Sequence, residues 1–160
     1  MVKERVDERQ MSGAMARPSS KSNQEAHIVA ARNIAAQLFA FPTAEYPHLR
    51  TFVNEPEVEQ KIFTNLGSEL APDIVVLEWP EKLPRMVAEV VTADMLTEEN
   101  ARGVWAVEAR LEGVPFYLYV PVGYASEAKK LLKRVGLRNV GLRTWRNIAG
   151  LKSLDVAPLK

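Results

Sequence analysis

The sequence predicts an α/β (α+β) domain with a mixed central β-sheet flanked by helices. Two short apolar runs, residues 72–77 and 86–92, are rich in β-branched side chains and bounded by prolines, which is typical of strands. Apolar residues at helical spacing over 97–112 precede a further apolar run over 115–121. Such a strand–helix–strand unit places its strands parallel, while a short turn joins the first two runs as an antiparallel pair.

The composition is that of a globular domain. The 160 residues, of which 47% are hydrophobic and 26% charged, are enough for one domain with a substantial core. Because the chain has no cysteine, disulfides and thiolate metal sites are excluded. No apolar run approaches the roughly 20 residues of a membrane helix, and the N-terminus lacks the apolar stretch of a signal peptide. We therefore expect a cytoplasmic protein with no membrane partner.

Three segments are predicted along the chain: a flexible N-terminal tail over 1–23, a single domain over 24–150 and a C-terminal tail over 151–160. The boundary near residue 23 follows a small, polar stretch that is broken by proline, as linkers are. Within the last segment, a short edge strand is expected around residues 154–156.

The first predicted helix covers residues 24–39, where apolar side chains recur at helical spacing. Ser22 or Asn23 is expected to cap its N-terminus, because short polar side chains accept hydrogen bonds from the first free N–H groups. His27, near its start, is interpreted as a surface or packed histidine rather than a ligand. His48 follows in a loop punctuated by prolines and is also assigned a structural role.

A second helix is predicted over residues 56–65. Pro56 suits the first helical position because the N–H that it lacks would be unpaired there, and Gly67 can end the helix in a left-handed conformation. The acidic residues around this helix are interpreted as solvated side chains near its N-terminus.

Two acidic residues belong to the predicted strand pair. Asp73 heads the first apolar run, and Glu89 lies inside the second. A carboxylate in such a run needs a partner, since burying an isolated charge is costly. At the ends of adjacent strands the two acids can converge on one point, an arrangement that suits hard divalent cations.

The motifs of this region resemble a known superfamily. They are the Pro-Asp strand of residues 72–76, the Glu-Val-Val-Thr strand of residues 89–92 and the Gly-Val-Pro segment that opens the aromatic strand at 113–119. Together they resemble the PD-(D/E)XK nuclease-like superfamily, which has the restriction-endonuclease-like fold, and most nearly its Uma-type putative endonucleases. The resemblance covers roughly residues 55–125.

This resemblance implies an endonuclease that hydrolyses phosphodiester bonds with bound magnesium or manganese. Asp73 and Glu89 would be the metal ligands, and the Val90 carbonyl could add another. A glutamate of the first helix often joins the metal site in this superfamily, and Glu59 is the best-placed residue here.

The chain departs from the superfamily motif at one position. The motif has a lysine two residues after the glutamate, where it activates the attacking water and offsets charge at the phosphate, and this chain has Val91. Some relatives carry the lysine on the following helix, where this chain offers Arg102 and Arg110. Arginine stays protonated, so Arg102 could neutralise phosphate charge but is a poor base.

The C-terminal part of the chain is basic. Residues 125–160 contain nine Lys and Arg residues against two acidic ones, whereas residues 1–124 contain twelve against eighteen. A fourth helix, capped by Ser126 and ending near residue 135, carries an exposed basic stripe of Lys129, Lys130, Lys133 and Arg134, before a last strand over 140–148. The stripe could bind DNA or RNA, be solvated only, or pair with the acidic part of a second copy in a homodimer.

Two functions are compatible with these features. The first is a degenerate, non-catalytic nuclease-fold protein that acts as a nucleic-acid-binding or assembly module, which Val91 favours. The alternative is a magnesium- or manganese-dependent endonuclease, with Asp73 and Glu89 holding the ion and Arg102 neutralising charge.

Overall fold

A six-stranded mixed sheet forms the centre of the protein. The computed structural model describes residue 18 and residues 20–147 and 154–158. The strands in chain order are β1 (Leu49–Val53), β2 (Ile62–Phe63), β3 (Glu69–Leu70), β4 (Ile74–Glu78), β5 (Leu83–Val90), β6 (Phe116–Pro121), β7 (Val140–Asn147) and β8 (Leu154–Pro158). The order across the sheet is β1-β4-β5-β6-β7-β8, while β2 and β3 form a separate two-stranded sheet.

The pairing of the strands agrees with the prediction of a mixed sheet. β4 runs antiparallel to both β1 and β5, and the three strands β5, β6 and β7 are parallel. Parallel neighbours need crossover connections, and the two crossovers here each contain a helix. β8 closes the other edge antiparallel to β7, so the sheet extends beyond residue 150, the predicted end of the domain.

Three helices flank the sheet. They are α1 (Lys21–Leu38), α2 and α3 (Ala125–Arg134), where α2 runs through Glu98–Asn100, a π-helical segment Ala101–Trp105 and Ala106–Ala109. A short 3₁₀ turn, Ala93–Met95, leads from β5 toward α2.

The helix caps match the predictions only in part. Ser20 rather than Ser22 or Asn23 caps α1, since its hydroxyl accepts the N–H of Asn23 at 3.1 Å. Thr97 caps α2, which begins and ends close to the predicted bounds. The predicted cap of α3 is wrong, because the helix begins one residue before Ser126 and has no side-chain cap.

The two faces of the sheet pack against different helices. On one face, α1 buries Ala30, Ala31, Ile34 and Ala35 against Ile74, Val76, Ala88 and Val90. On the other face, α2 and α3 bury Ala101, Val104, Trp105, Ala128, Leu131 and Leu132 against Val75, Leu77, Val87 and Val91. The alternation along β4 and β5 follows from the two-residue period of a strand, with both faces apolar as in a covered sheet.

The helix predicted over residues 56–65 is wrong. The buried side chain of Asn54 binds this backbone instead, because its amide oxygen accepts the N–H groups of Glu59 and Gln60 at 2.8 and 2.9 Å. The chain then forms the β2–β3 hairpin. Gly67 has the predicted positive φ, but it lies in the turn between these strands rather than at the end of a helix. An asparagine that binds nearby backbone groups competes directly with helix formation.

The predicted N-terminal tail lies largely outside the described residues, whereas residues 154–158 of the predicted C-terminal tail form β8. Most of the segment 1–23 is among the residues that the structure does not describe, and α1 begins within it, at Lys21. In the described part of the chain, no helix has both the length and the apolar character needed to cross a bilayer.

Candidate functional site: a buried cluster of acids and a histidine

Asp73 and Glu89 meet at one end of the sheet, as the sequence predicts. Because β4 and β5 are antiparallel with Ile74 opposite Ala88, the residue before Ile74 faces the end of β5. Glu89 Oε2 accepts the N–H of Asp73 at 3.0 Å, and Asp73 Oδ2 accepts the N–H of Val90 at 2.8 Å. These reciprocal hydrogen bonds between strand ends orient both carboxyl groups within the protein.

A histidine and a third acid complete this cluster from other parts of the chain. His27 of α1 places Nε2 3.1 Å from Asp73 Oδ2 and Nδ1 3.8 Å from Glu55 Oε1. The Val90 carbonyl also faces the imidazole. All three side chains are at most 3% exposed. Their contacts link α1, the loop after β1 and the start of β4.

The loop that carries Glu55 is fixed by its own hydrogen bonds. The Asn54 side chain donates to the carbonyl groups of Gln60 and Pro72, at 3.0 and 2.7 Å, so it joins the loop to the residue before Asp73. Arg32 of α1 donates to the Glu55 carbonyl at 2.6 Å. Glu55 and Asp73 are therefore held on a framework of fixed backbone rather than on a mobile loop.

Glu108 of α2 approaches the cluster from the other face of the sheet. It is completely buried, as are Ala101, Val104 and Trp105 at helical spacing before it. Among the described residues no N–H or hydroxyl group donates to either of its carboxyl oxygens. Its neighbour is the carboxyl of Glu89, which can donate a hydrogen bond only when it is protonated.

Burial and mutual repulsion shift the protonation of this cluster. Burial raises the pKa of Glu89 well above its ordinary value, and the charges of Asp73 and Glu108 raise it further. Burial raises the pKa of Glu108 as well, although the hydrogen bond with Glu89 lowers it in part. Burial lowers the pKa of His27, but Asp73 and Glu55 together overcome this, so that its pKa is raised overall. These shifts favour the neutral forms of the two glutamates and the cation of His27, relative to the same groups in water.

Two residues of the predicted site, Glu59 and Arg102, lie away from the cluster, and the position of the motif lysine is apolar. The Glu59 side chain is exposed and accepts the N–H of Val53 at 3.1 Å, so it is not brought to Asp73. Arg102 is 60% exposed and pairs with Glu98 at 3.1 Å, toward solvent. Val91, in the position of the motif lysine, is buried in the apolar core beside α2. Among the described residues, none of these supplies the cation that a phosphodiester-cleaving site requires.

The comparisons with known proteins leave the family open. No family model, curated protein or solved structure matches this chain. The kinship with the PD-(D/E)XK superfamily therefore stays a prediction that rests on the motifs and on the placement of Asp73 and Glu89.

The cluster has the donor atoms of a metal centre. One ligand atom from each of His27, Glu55 and Asp73 lies within 4.8 Å of the other two, so these three residues could hold a metal ion.

The sequence did not predict that His27 and Glu55 belong to this cluster. His27 had one usable signal, since it stands three, four and seven residues before the buried Ala30, Ala31 and Ile34. Glu55 had none, because nothing in its neighbourhood distinguishes it from the exposed acids that follow.

The predicted basic stripe is exposed and borders a cleft. Lys129, Lys130, Lys133 and Arg134 all face solvent on α3. A cleft of about 510 Å³ lies between α3 and β7, and its charged lining residues are Lys129, Lys133, Arg138 and Arg143. Its floor consists of small or apolar residues that include Gly136, Leu137 and Gly141. We call the stripe and these two arginines the basic face.

Proposed function

We propose that this protein is a non-catalytic module on a nuclease-like core that binds DNA or RNA through backbone phosphates. The observation that carries the proposal is the basic face, a group of mostly exposed cations in and beside a cleft. Among the described lining residues of the cleft, four are basic and none is acidic. Phosphate backbones are bound mainly by such lysine and arginine groups, largely without regard to sequence.

The form of the cleft supports a phosphate ligand rather than a second protein surface. Lys129 and Lys133 project from α3, and Arg143 projects from β7, so that cations border the cleft on both sides. The Arg143 guanidinium lies 5.2 Å from the centre of the Tyr117 ring, a cation–π contact that limits its freedom. A partly fixed guanidinium loses less conformational entropy when it binds an anion.

The acid cluster supports the absence of catalysis. A hydrolytic metal centre needs open coordination positions for water and for a phosphate oxygen. Here Asp73 and Glu89 are each 2% exposed, and one oxygen of each carboxyl group accepts a backbone N–H. With Val91 in the core and Arg102 paired to Glu98, the carboxylates have a structural role, in which they tie β4, β5 and α1 together.

The basic face can be tested by the salt dependence of binding. We expect the full chain to bind a fluorescent DNA or RNA duplex with an affinity that falls as salt rises. The triple variant Lys130→Ala/Lys133→Ala/Arg134→Ala should lose roughly one unit of the logarithmic salt slope for each phosphate contact removed, about three in all. Fluorescence anisotropy over a series of salt concentrations measures both quantities.

The control is Arg102→Ala/Arg110→Ala, which removes one exposed cation from α2 and one from the residue that follows it. This control should keep the wild-type salt slope. Losses in proportion to the number of cations removed, three against two, would show a general charge effect and contradict the basic face. If the wild type binds neither DNA nor RNA but self-associates in sedimentation experiments, the assembly alternative, a homodimer, replaces the proposal.

One observation favours the second candidate, a magnesium- or manganese-dependent endonuclease. The carboxyl groups of Asp73 and Glu89 converge, as the metal ligands of such an enzyme would, with the Val90 carbonyl beside them. This candidate predicts metal-dependent cleavage of nucleic acid that disappears in Glu89→Gln.

A further inference from the structure

The cluster around His27 differs in its donor atoms from a magnesium site made of carboxylates. An imidazole nitrogen and two carboxylate oxygens approach one another from three separate elements, α1, the loop after β1 and the start of β4. One ligand atom from each residue, with a single ring nitrogen counted for His27, lies within 4.8 Å of the other two. Ligand atoms bound at about 2.1 Å to one ion lie at most about 4.2 Å apart. Small side-chain adjustments therefore bring the three atoms to that geometry.

The surroundings supply the orienting contacts that metal ligands normally have. The Val90 N–H donates to Asp73 Oδ2, while the Asp73 N–H donates to Glu89, so both the carboxylate and the backbone of Asp73 are fixed. The Glu55 carbonyl accepts a hydrogen bond from Arg32, and the side chain of the neighbouring Asn54 is tied to the Pro72 carbonyl. The Asp73 carboxylate and the backbone that carries Glu55 are thus fixed before any ion arrives.

The donor set selects the class of metal. Imidazole nitrogen suits zinc and the other first-row transition dications, whereas magnesium prefers six oxygen ligands and keeps several waters. A site buried to this extent has little room for that water shell. Two carboxylates also match the charge of one dication. We propose that His27, Glu55 and Asp73 form a structural binding site for a first-row transition-metal dication such as zinc.

The site would join α1 to the sheet end, and it stands whether or not the basic face binds nucleic acid. Metal that binds only the folded chain stabilises that chain by mass action, so the thermal midpoint should rise with zinc concentration. Removal of a ligand should weaken binding by more than about 100-fold, the upper end of what loss of a second-shell contact costs.

The experiment uses the full chain after treatment with a chelator. Isothermal titration with zinc should show one site, absent with magnesium, and cobalt should give a visible absorption band. The chain has only two histidines, so His48→Ala, which removes the exposed one, is the matched control. We expect His48→Ala to bind like the wild type and His27→Ala to bind more than about 100-fold more weakly.

Nuclear magnetic resonance of the unmodified protein covers the case in which His27→Ala does not fold. Zinc should shift the ring signals of His27 and leave those of His48 unchanged. The proposal is overturned if folded wild-type protein takes up no zinc, if only the His48 signals move, or if His27→Ala keeps full affinity. It is also overturned if magnesium binds as tightly as zinc.

Discussion

The Asp73→Ala variant is expected to lose about 3–5 kcal/mol of unfolding free energy, because it removes one partner of the buried, hydrogen-bonded pair of Asp73 and His27. Among the described side chains, only that of Asp73 lies within hydrogen-bond distance of the His27 ring. The same oxygen, Asp73 Oδ2, also accepts the Val90 N–H. Both groups would remain buried without their acceptor. For a domain with a total stability of roughly 5–15 kcal/mol, this is a large fraction.

Urea denaturation in the presence of a chelator measures this loss without a contribution from bound metal. Glu57→Ala is the matched control, since Glu57 is an exposed acid in the loop beside the cluster, and it should change stability by less than about 0.5 kcal/mol. A double-mutant cycle with His27→Ala should give a coupling energy of about 1–3 kcal/mol. Additive losses would show that the two side chains do not interact and would contradict the pairing.

The Glu108→Gln variant is expected to be more stable than the wild type above neutral pH, by about 1–3 kcal/mol. Burial raises the pKa of Glu108, so the folded protein retains a proton that the unfolded chain releases above its ordinary pKa of 4.5. The stability that this proton provides is complete below that value and is lost as the pH rises through the raised pKa. Glutamine has no such proton to lose, and its amide can donate to the Glu89 carboxyl.

Denaturation midpoints between about pH 5 and about pH 8 measure this difference between variant and wild type. The gain from Glu108→Gln should be small at the acidic end and increase with pH. Glu112→Gln, an exposed glutamate just beyond α2, should show no such trend. A constant difference across the range, or a variant less stable than the wild type at high pH, would contradict the raised pKa.

The elements that the sequence predicts well are those in which local pattern and tertiary packing agree. β4 and β6 are rich in β-branched or aromatic residues, and the second half of β5 is buried, which suits strands covered on both faces. α2 has a threonine cap and one apolar face, and Glu108 falls on that face by spacing alone. The meeting of Asp73 and Glu89 followed from the same information, because a short turn fixes which strand ends are adjacent.

The features that the sequence did not predict depend on contacts between distant residues. The stretch from Pro56 to Gly67 has the residues and the apolar spacing of a helix. It forms a loop instead, because the Asn54 side chain accepts hydrogen bonds from its backbone. His27 and Asp73 are separated by 46 positions, and no spacing rule relates a helix residue to a strand end. β1 was not predicted either, since its five residues alternate only weakly between buried and exposed positions.

The most direct test of the account is to measure binding and cleavage on the same labelled nucleic acid, with magnesium or manganese present. We predict that the wild type binds single- or double-stranded DNA or RNA and leaves it intact, and that Glu89→Gln binds equally well. Metal-dependent cleavage by the wild type that is lost in Glu89→Gln would contradict the non-catalytic function and establish the endonuclease.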